Sequence, residues 1–422
     1  MKYCKIDIFD INMVHQMQFD SPPKREQTIF KIVSNKIKML FYFSLKPKDK
    51  PRKYDLLFYG VSYNNNKVLY PVVKNLSADN YFYLKDDKDY PMVQALYLSL
   101  PYIGSLISNY KKGTKEQRKL IKTNPLLYLL AYGKVKVAFK IINNYSPKLL
   151  VMANDHSPMN RSLLFAATKL GVKTMYLQHA SVSTKFPTLK FDYTLLDGLE
   201  SFEKYRCVSK PNSKVLLLGS PRFDSFYTQS IKNNNKNSVI GISINQFDDF
   251  EIIKELCLKI KGNTTFDVIV RPHPNMNNWY KDWFIENGIE YSNSSEISSN
   301  EYLGELFLQI SNVCGIHLDA IILGVPTVQY QLSKKNIHDQ YCYLEKGLIK
   351  KAYEFDHLIQ YIKNPTQLIP LKEIVQYFVA SSSTYREGQV GLFASNYICA
   401  ILEKPEKETE IENKNKIKVY KF

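Results

Sequence analysis

The chain holds seven histidines, and two of them stand where short apolar runs end. His179 closes the run Thr174-Met-Tyr-Leu-Gln178 and precedes Ala180, and His273 lies in Arg271-Pro272-His273-Pro274 after Phe266–Val270. Imidazole titrates near neutrality, so His179 is a candidate general base for a hydroxyl group. The prolines flanking His273 fix its backbone, and its ring could donate to a phosphate oxygen as charge builds on a leaving group. Each residue also has a structural alternative: a core histidine satisfied by backbone groups, or a rigid turn carrying an incidental ring.

Other polar residues follow predicted strands in the same way. Asp155, in Asn154-Asp155-His156, could be a base itself, could orient an imidazole, or could cap a helix by accepting from free N–H groups. In Val313-Cys314-Gly315-Ile316-His317, Gly315 would let the chain turn tightly and approach a ligand. The helix start behind it would favour an anion, with His317 as an added donor. Arg222, in Gly219-Ser-Pro-Arg222-Phe-Asp224, could pair with a phosphate or with Asp224, and the internal pair is favoured. Ser381–Thr384 reads as a cap for a last long helix from about Arg386, with phosphate binding as the alternative. The basic run Lys111-Lys112-Gly-Thr-Lys115-Glu-Gln-Arg118-Lys119-Leu-Ile-Lys122 is either a solvated face or a surface for anionic lipid, with neighbouring apolar helices dipping in.

The elements that must position these residues alternate. Strands are predicted at Asp55–Tyr59, Tyr81–Lys85, Lys148–Ala153, Thr174–Gln178, Tyr193–Leu196 and Val215–Leu218. Helical patterns lie near Met92–Ile107, Leu126–Asn143 and Arg161–Leu170. After the polar run Ser230–Ser238, which has linker composition, the theme restarts. It gives strands at Val239–Ile244, Phe266–Val270, Leu308–Val313 and Thr327–Tyr330, with helices near Phe250–Ile260 and His317–Leu323. Such alternation predicts parallel sheets with right-handed crossovers. The expected class is therefore α/β, with two Rossmann-like doubly wound domains facing a cleft. The first would span residues 1–232 and bind acceptor, and the second would span 238–385 and bind donor. A C-terminal helix and a charged, frayed tail would occupy 386–422.

Composition sets the limits. The 422 residues suit two domains, and 45% hydrophobic with 23% charged is ordinary for a globular chain. A formal net charge of +17 points to anionic partners, although a Lys- and Asn-rich codon bias would also produce it. The six cysteines form no CxxC pair and no zinc pattern, which suggests a reducing cytoplasm. No leader pattern opens the chain, and the nearest approach to a spanning segment, Met92–Ser108, is short and holds Pro101.

Taken in order, these motifs resemble the GT-B glycosyltransferases of bacterial capsule and lipopolysaccharide synthesis. The resemblance is to the group holding CMP-sialic acid and CMP-Kdo transferases and CDP-glycerol glycerophosphotransferases. It rests on Gln178-His179-Ala180 after one strand, Arg271-Pro-His273-Pro274 after another, and the run from Leu318-Asp-Ala320 to Leu323-Gly-Val-Pro-Thr327. Ala180 stands where the group usually has Gly, and Gly315-Ile316 where it often has Ser-Ser. The resemblance implies a transfer that needs no metal or other cofactor, since Asp248-Asp249 reads as a helix start rather than a metal motif. His179 or Asp155 would deprotonate the acceptor, and His273, Arg271, Gly315, His317, Asn245 and Ser311 would form the donor site. The implied partners are a nucleotide-sugar donor, with a CMP-linked acidic sugar favoured, and a glycan or lipid-linked glycan acceptor. The implied place is the cytoplasm or the anionic inner-membrane surface.

Three rival readings remain. A CDP-polyol phosphotransferase would use the same donor architecture. A nucleotide-sugar epimerase would work on one bound substrate without an acceptor. A nucleic-acid-binding protein is suggested by charge alone, but no basic stripe with stacking aromatics is visible, so nucleic acid is not expected as a partner.

Overall fold

Runs such as Leu56-Leu-Phe-Tyr-Gly60 and Leu149-Leu-Val-Met152 have no polar alternation, and both strands they form are buried along their whole length. That pattern belongs to parallel strands covered by helices on both faces. The computed structural model describes residues 6–19, 53–60, 62–85, 92–183, 185–230, 238–276 and 278–421. Most of the expected linker, residues 231–237, lies outside them.

The described chain divides into two compact units. The first contains β1 (Leu56–Gly60), β2 (Tyr81–Lys85), β3 (Leu149–Met152), β4 (Lys173–Leu177), β5 (Tyr193–Leu196), β6 (Lys214–Leu217) and, near the end of the chain, β13 (Lys418–Tyr420). Their order is β13-β6-β5-β4-β3-β1-β2, and all pair in parallel except β13, which runs antiparallel to β6. The second unit contains β7 (Val239–Ile244), β8 (Asp267–Pro272), β9 (Glu290–Tyr291), β10 (Leu308–Ser311), β11 (Thr327–Tyr330) and β12 (Lys350–Ala352). Its order is β12-β11-β10-β7-β8-β9, parallel throughout.

Each sheet reverses its winding once. In the first unit the chain runs from β1 outward to β2, then returns to add β3 on the other side of β1. In the second it runs from β7 to β8 and β9, then returns to place β10 beside β7. At such a switch point the loops leave in opposite directions and open a crevice beyond the carboxyl ends of the strands. The crevices therefore lie at the ends of β1 and β3, and of β7 and β10.

The unit boundaries differ from expectation in three places, one being Asp197–Glu200, which groups with the second unit. The chain passes to the second unit after Pro221, about ten residues early, and Gly391–Phe422 returns to the first. The expected frayed tail is ordered: a helix, Pro405–Lys414, precedes β13. Its Glu408 and Glu412 are buried and both pair with Lys214, while Tyr193 and Tyr397 hydroxyls donate to them at 3.0 and 2.7 Å. High charge read from sequence gave no sign that these carboxylates had buried partners. The last long helix begins at Val390 rather than near Arg386, because residues 380–389 form successive turns.

Pro101 breaks the apolar Met92–Ser108 run into a helix Met92–Ser99, a 3-10 turn Leu100–Tyr102 and a helix Ile103–Lys112. Among the described residues no helix is long and apolar enough to cross a membrane.

Candidate active site

In the first unit, β3 ends one turn before helix Pro158–Lys169, whose N-cap is Ser157. Asn154 Oδ1 accepts from the backbone N–H groups of His156 and Ser157 at 3.0 and 2.8 Å, which shapes the connecting loop. The cap is thus supplied without Asp155, and the carboxylate is directed elsewhere. Asp155 Oδ1 lies 2.8 Å from His156 Nδ1, and Oδ2 accepts from the Tyr205 hydroxyl at 2.6 Å. Asp155 is fully buried. Burial alone would raise its pKa, but the hydrogen bonds from His156 and Tyr205 and the nearby histidines hold it below the ordinary carboxylate value. Tyr205, buried against that negative charge, has its pKa raised well above that of a free phenol and stays a donor.

His156 keeps part of its side chain exposed, at 17%. His179 follows β4 and stands beside it, with ring centroids 5.7 Å apart, and Phe186 lies 5.0 Å from His156 on centroids. Gln178 braces the loop by donating to Ala180 O and to Ser201 Oγ at 3.0 and 2.9 Å. Beneath the site, Arg161 donates to Asp155 O at 3.3 Å and pairs with Asp10, which also meets Lys190 at 2.9 Å. Asp155 and His179 thus both lie beside the His156 ring. His156 is the residue that sequence reasoning passed over, although its place directly after Asp155 was the available signal.

In the second unit, His273 leaves the end of β8 with its side chain exposed and its backbone N–H bonded to Ile244 O at 2.9 Å. Neighbouring protein still displaces enough water to lower the imidazole pKa below its usual value. Asn245 ends β7, where its backbone N–H donates to Asp248 Oδ2 at 2.7 Å and its Oδ1 accepts from Phe247 N at 2.9 Å. Asp248 is buried and also accepts from Asn312 Nδ2 at 3.1 Å, and burial raises its pKa to about 6. Asn312, after β10, donates as well to Ser333 Oγ at 2.9 Å. These side chains tie the carboxyl ends of β7 and β10 together at the second crevice. Asp249 caps helix Phe250–Asn263, as expected of a helix start.

Several expected donor ligands are committed internally. His317 is fully buried, with Nδ1 2.7 Å from Thr327 Oγ1 and Nε2 2.9 Å from Asn312 O. A carbonyl can only accept, so Nε2 carries the proton and Nδ1 takes the threonine hydroxyl. Burial lowers the ring's pKa to about 4, so it is a neutral core group and offers no donor to a phosphate. Ser311 is likewise buried and donates to Ser243 O at 2.7 Å. The Arg271 guanidinium is buried too: it donates to Ser292 Oγ at 2.8 Å and Ile297 O at 2.7 Å, and lies 5.0 Å from the Tyr302 ring centroid. It braces the loop that follows β9 instead of facing solvent. Gly315 has φ −64°, so its backbone does not require glycine, and the helix behind it has only seven residues. A side chain there would meet nothing within 4 Å, so the space beside the turn is open. Arg222 pairs with Asp319 at 3.1 Å rather than with Asp224, which accepts from Val390 N at 2.9 Å. Among the described residues no group of three or more His, Cys, Asp or Glu side chains is arranged to hold a metal ion.

No protein-family model matches the sequence, and no curated protein does. Solved structures do resemble the fold. A Listeria monocytogenes protein assigned as a UDP-N-acetylglucosamine 2-epimerase aligns with TM-score 0.52 and 11% identity over 83% of this chain and 97% of its own. The UDP-GlcNAc 2-epimerase of Neisseria meningitidis, bound to UDP-GlcNAc, aligns with TM-score 0.51 and 13% identity over 83% and 99%. The wall teichoic acid polymerase TagF spans 97% of this chain and 99% of its own at 12% identity, with TM-score 0.49. At these identities the likeness is one of fold. The architecture is GT-B-type: two α/β units, each built on a sheet that is parallel apart from β13.

Proposed function

We propose that the chain is a glycosyltransferase that moves a sugar from a nucleotide-activated donor onto a surface polysaccharide or lipo-oligosaccharide. The observation that carries this reading is the hydrogen-bonded series Tyr205–Asp155–His156 at the switch-point crevice of the first unit. A buried carboxylate that accepts from Nδ1–H leaves Nε2 as the unprotonated nitrogen, which is the state a general base needs. His156 takes the proton of an acceptor hydroxyl, Asp155 steadies the resulting imidazolium, and His179 supplies a second imidazole beside the same hydroxyl. The acceptor oxygen bonds to the anomeric carbon as the bond from that carbon to the donor phosphate breaks. The electron pair leaves with the nucleotide, and configuration inverts. His273, on the second unit, donates to a phosphate oxygen as that charge develops. Asn245 and the open turn at Gly315 lie at the second unit's own crevice and form the rest of the donor site. No step in this scheme calls for a divalent cation.

A CMP-linked acidic sugar is the favoured donor, with a CDP-polyol as the alternative, both from the resemblance at His179 and His273. Epimerisation of a bound UDP-sugar is a second reading, since two of the structural neighbours are named for it. The two classes separate on one requirement, because an epimerase turns over donor alone and a transferase needs an acceptor. The test of the reading is a thermal-shift panel with CMP, CDP, UDP and GDP, as a ligand that binds only the folded state raises its melting temperature. Stabilisation by one nucleotide is expected, and no shift with any of the four would overturn it.

A further inference from the structure

The first unit carries an unusual outward face that the proposed chemistry does not use. Tyr97, Leu100, Ile103, Ile107 and Tyr110 are between 39% and 73% exposed. They recur every three or four residues along the two helices and the turn between them, so they form one stripe. On helix Ile103–Lys112 the three exposed apolar residues fall within an arc of about 60°, and Leu106, about 40° beyond its edge, is buried. The helix before it is fixed in place, because a Cβ at Gly133 would collide with the backbone of Ala95.

The next helix, Lys115–Thr123, complements the stripe. Lys115, Arg118, Lys119 and Lys122 fall within an arc of about 100°, opposite the buried pair Leu120 and Ile121. Lys111 and Lys112 close the preceding helix, and Glu116 is the sole acidic residue between Met92 and Leu126. Thr114 fixes the angle between the helices with a capping box to Gln117.

We infer that this face docks on an anionic lipid surface, with the apolar stripe entering the headgroup boundary and the lysines and Arg118 meeting acidic headgroups. The combination selects its occupant. A nucleic acid would satisfy the cations but leave exposed isoleucines in water. A second copy of the chain would bring the same six cations against themselves. A lipid interface takes both, since apolar burial and attraction to anionic headgroups add there.

The experiment is vesicle flotation of the full chain, with phosphatidylcholine alone and with equal parts of phosphatidylcholine and phosphatidylglycerol. Binding to the anionic vesicles and little to the neutral ones is expected. Two exposed double variants, Ile103→Ser with Ile107→Ser and Lys115→Glu with Lys122→Glu, should each weaken binding about tenfold or more, with melting temperatures unchanged. Equal binding to both vesicles, no binding, or full binding by either variant would overturn the proposal. So would retention of the chain by a single-stranded oligonucleotide in preference to the anionic vesicles. None of these readouts depends on catalysis, so the result stands apart from the transferase reading.

Discussion

Asp155 Oδ1 sits 2.8 Å from His156 Nδ1, between adjacent residues of one loop, with the carboxylate sealed from water and the ring left partly open. Adjacent residues in an extended strand point to opposite faces, so this contact requires the bend that Asn154 imposes on the loop. The bend lets a buried charge act on a partly exposed ring.

Replacing Asp155 by Asn should keep the fold and lower turnover by about 10²–10⁴, the range attributed to general-base catalysis. Tyr205→Phe removes only one donor to the carboxylate and should cost about 1.5–3 kcal/mol of stability, with a smaller loss of turnover. Initial rates and melting temperatures of the two variants check this. The depressed pKa of Asp155 adds a pH signature. Its contribution to stability is present above the ordinary carboxylate value of 3.8 and is lost as pH falls through the lower folded value. The Asn variant should lack that part of the acid sensitivity.

His273→Ala should leave stability within about 0.5 kcal/mol of the parent, since its side chain is exposed. Turnover should fall by about 10² or more if the ring stabilises a leaving phosphate. Full activity in this variant would remove His273 from the mechanism.

Arg271→Met should behave in the opposite way to His273→Ala. It strips two hydrogen bonds from a buried guanidinium and should destabilise the second unit by about 2–4 kcal/mol. Donor nucleotide affinity, measured on the protein that remains folded, should change little, because the group faces Ser292, Ile297 and Tyr302.

Asp248 supplies the clearest pH dependence. Its pKa rises from 3.8 unfolded to about 6 in the fold. A raised carboxyl pKa means that the native state binds the extra proton. The resulting stability is therefore complete below about 3.8 and is lost as pH rises through about 6. Urea midpoints measured across this interval should fall as pH rises, and Asp248→Asn should flatten that slope.

Lys214→Met should leave Glu408 and Glu412 buried without their cation. Loss of about 3 kcal/mol or more is expected, with the C-terminal helix and β13 detaching first. Limited proteolysis after residue 403 reports it, and a variant as resistant as the parent would contradict the assignment.

The sheets were legible in sequence because buried parallel strands are written as short, mostly apolar runs. Tyr193–Leu196, Val239–Ile244 and Thr327–Tyr330 match to the residue. β9, β12 and β13 were not legible, being short edge strands of two or three residues that carry charge. Near the strand ends, the placement of Asp155, His179 and His273 after β3, β4 and β8 follows from where the apolar runs stop. The burial of Arg271, Ser311 and His317 could not be read, since strand ends hold both ligand-facing and inward-facing polar groups. Only the partners Ser292, Ser243 and Thr327, distant in sequence, distinguish the two kinds. The position of His156 directly after Asp155 was a signal for the pair, but not for which of the two would be buried.

The return of Gly391–Phe422 to the first unit has a consequence for biosynthesis. A ribosome makes all of the second unit before it makes β13, so the later part of the chain can fold while the earlier part still lacks an edge strand. Until then β6 presents open backbone groups to any passing strand, and order of synthesis and order of completion are reversed.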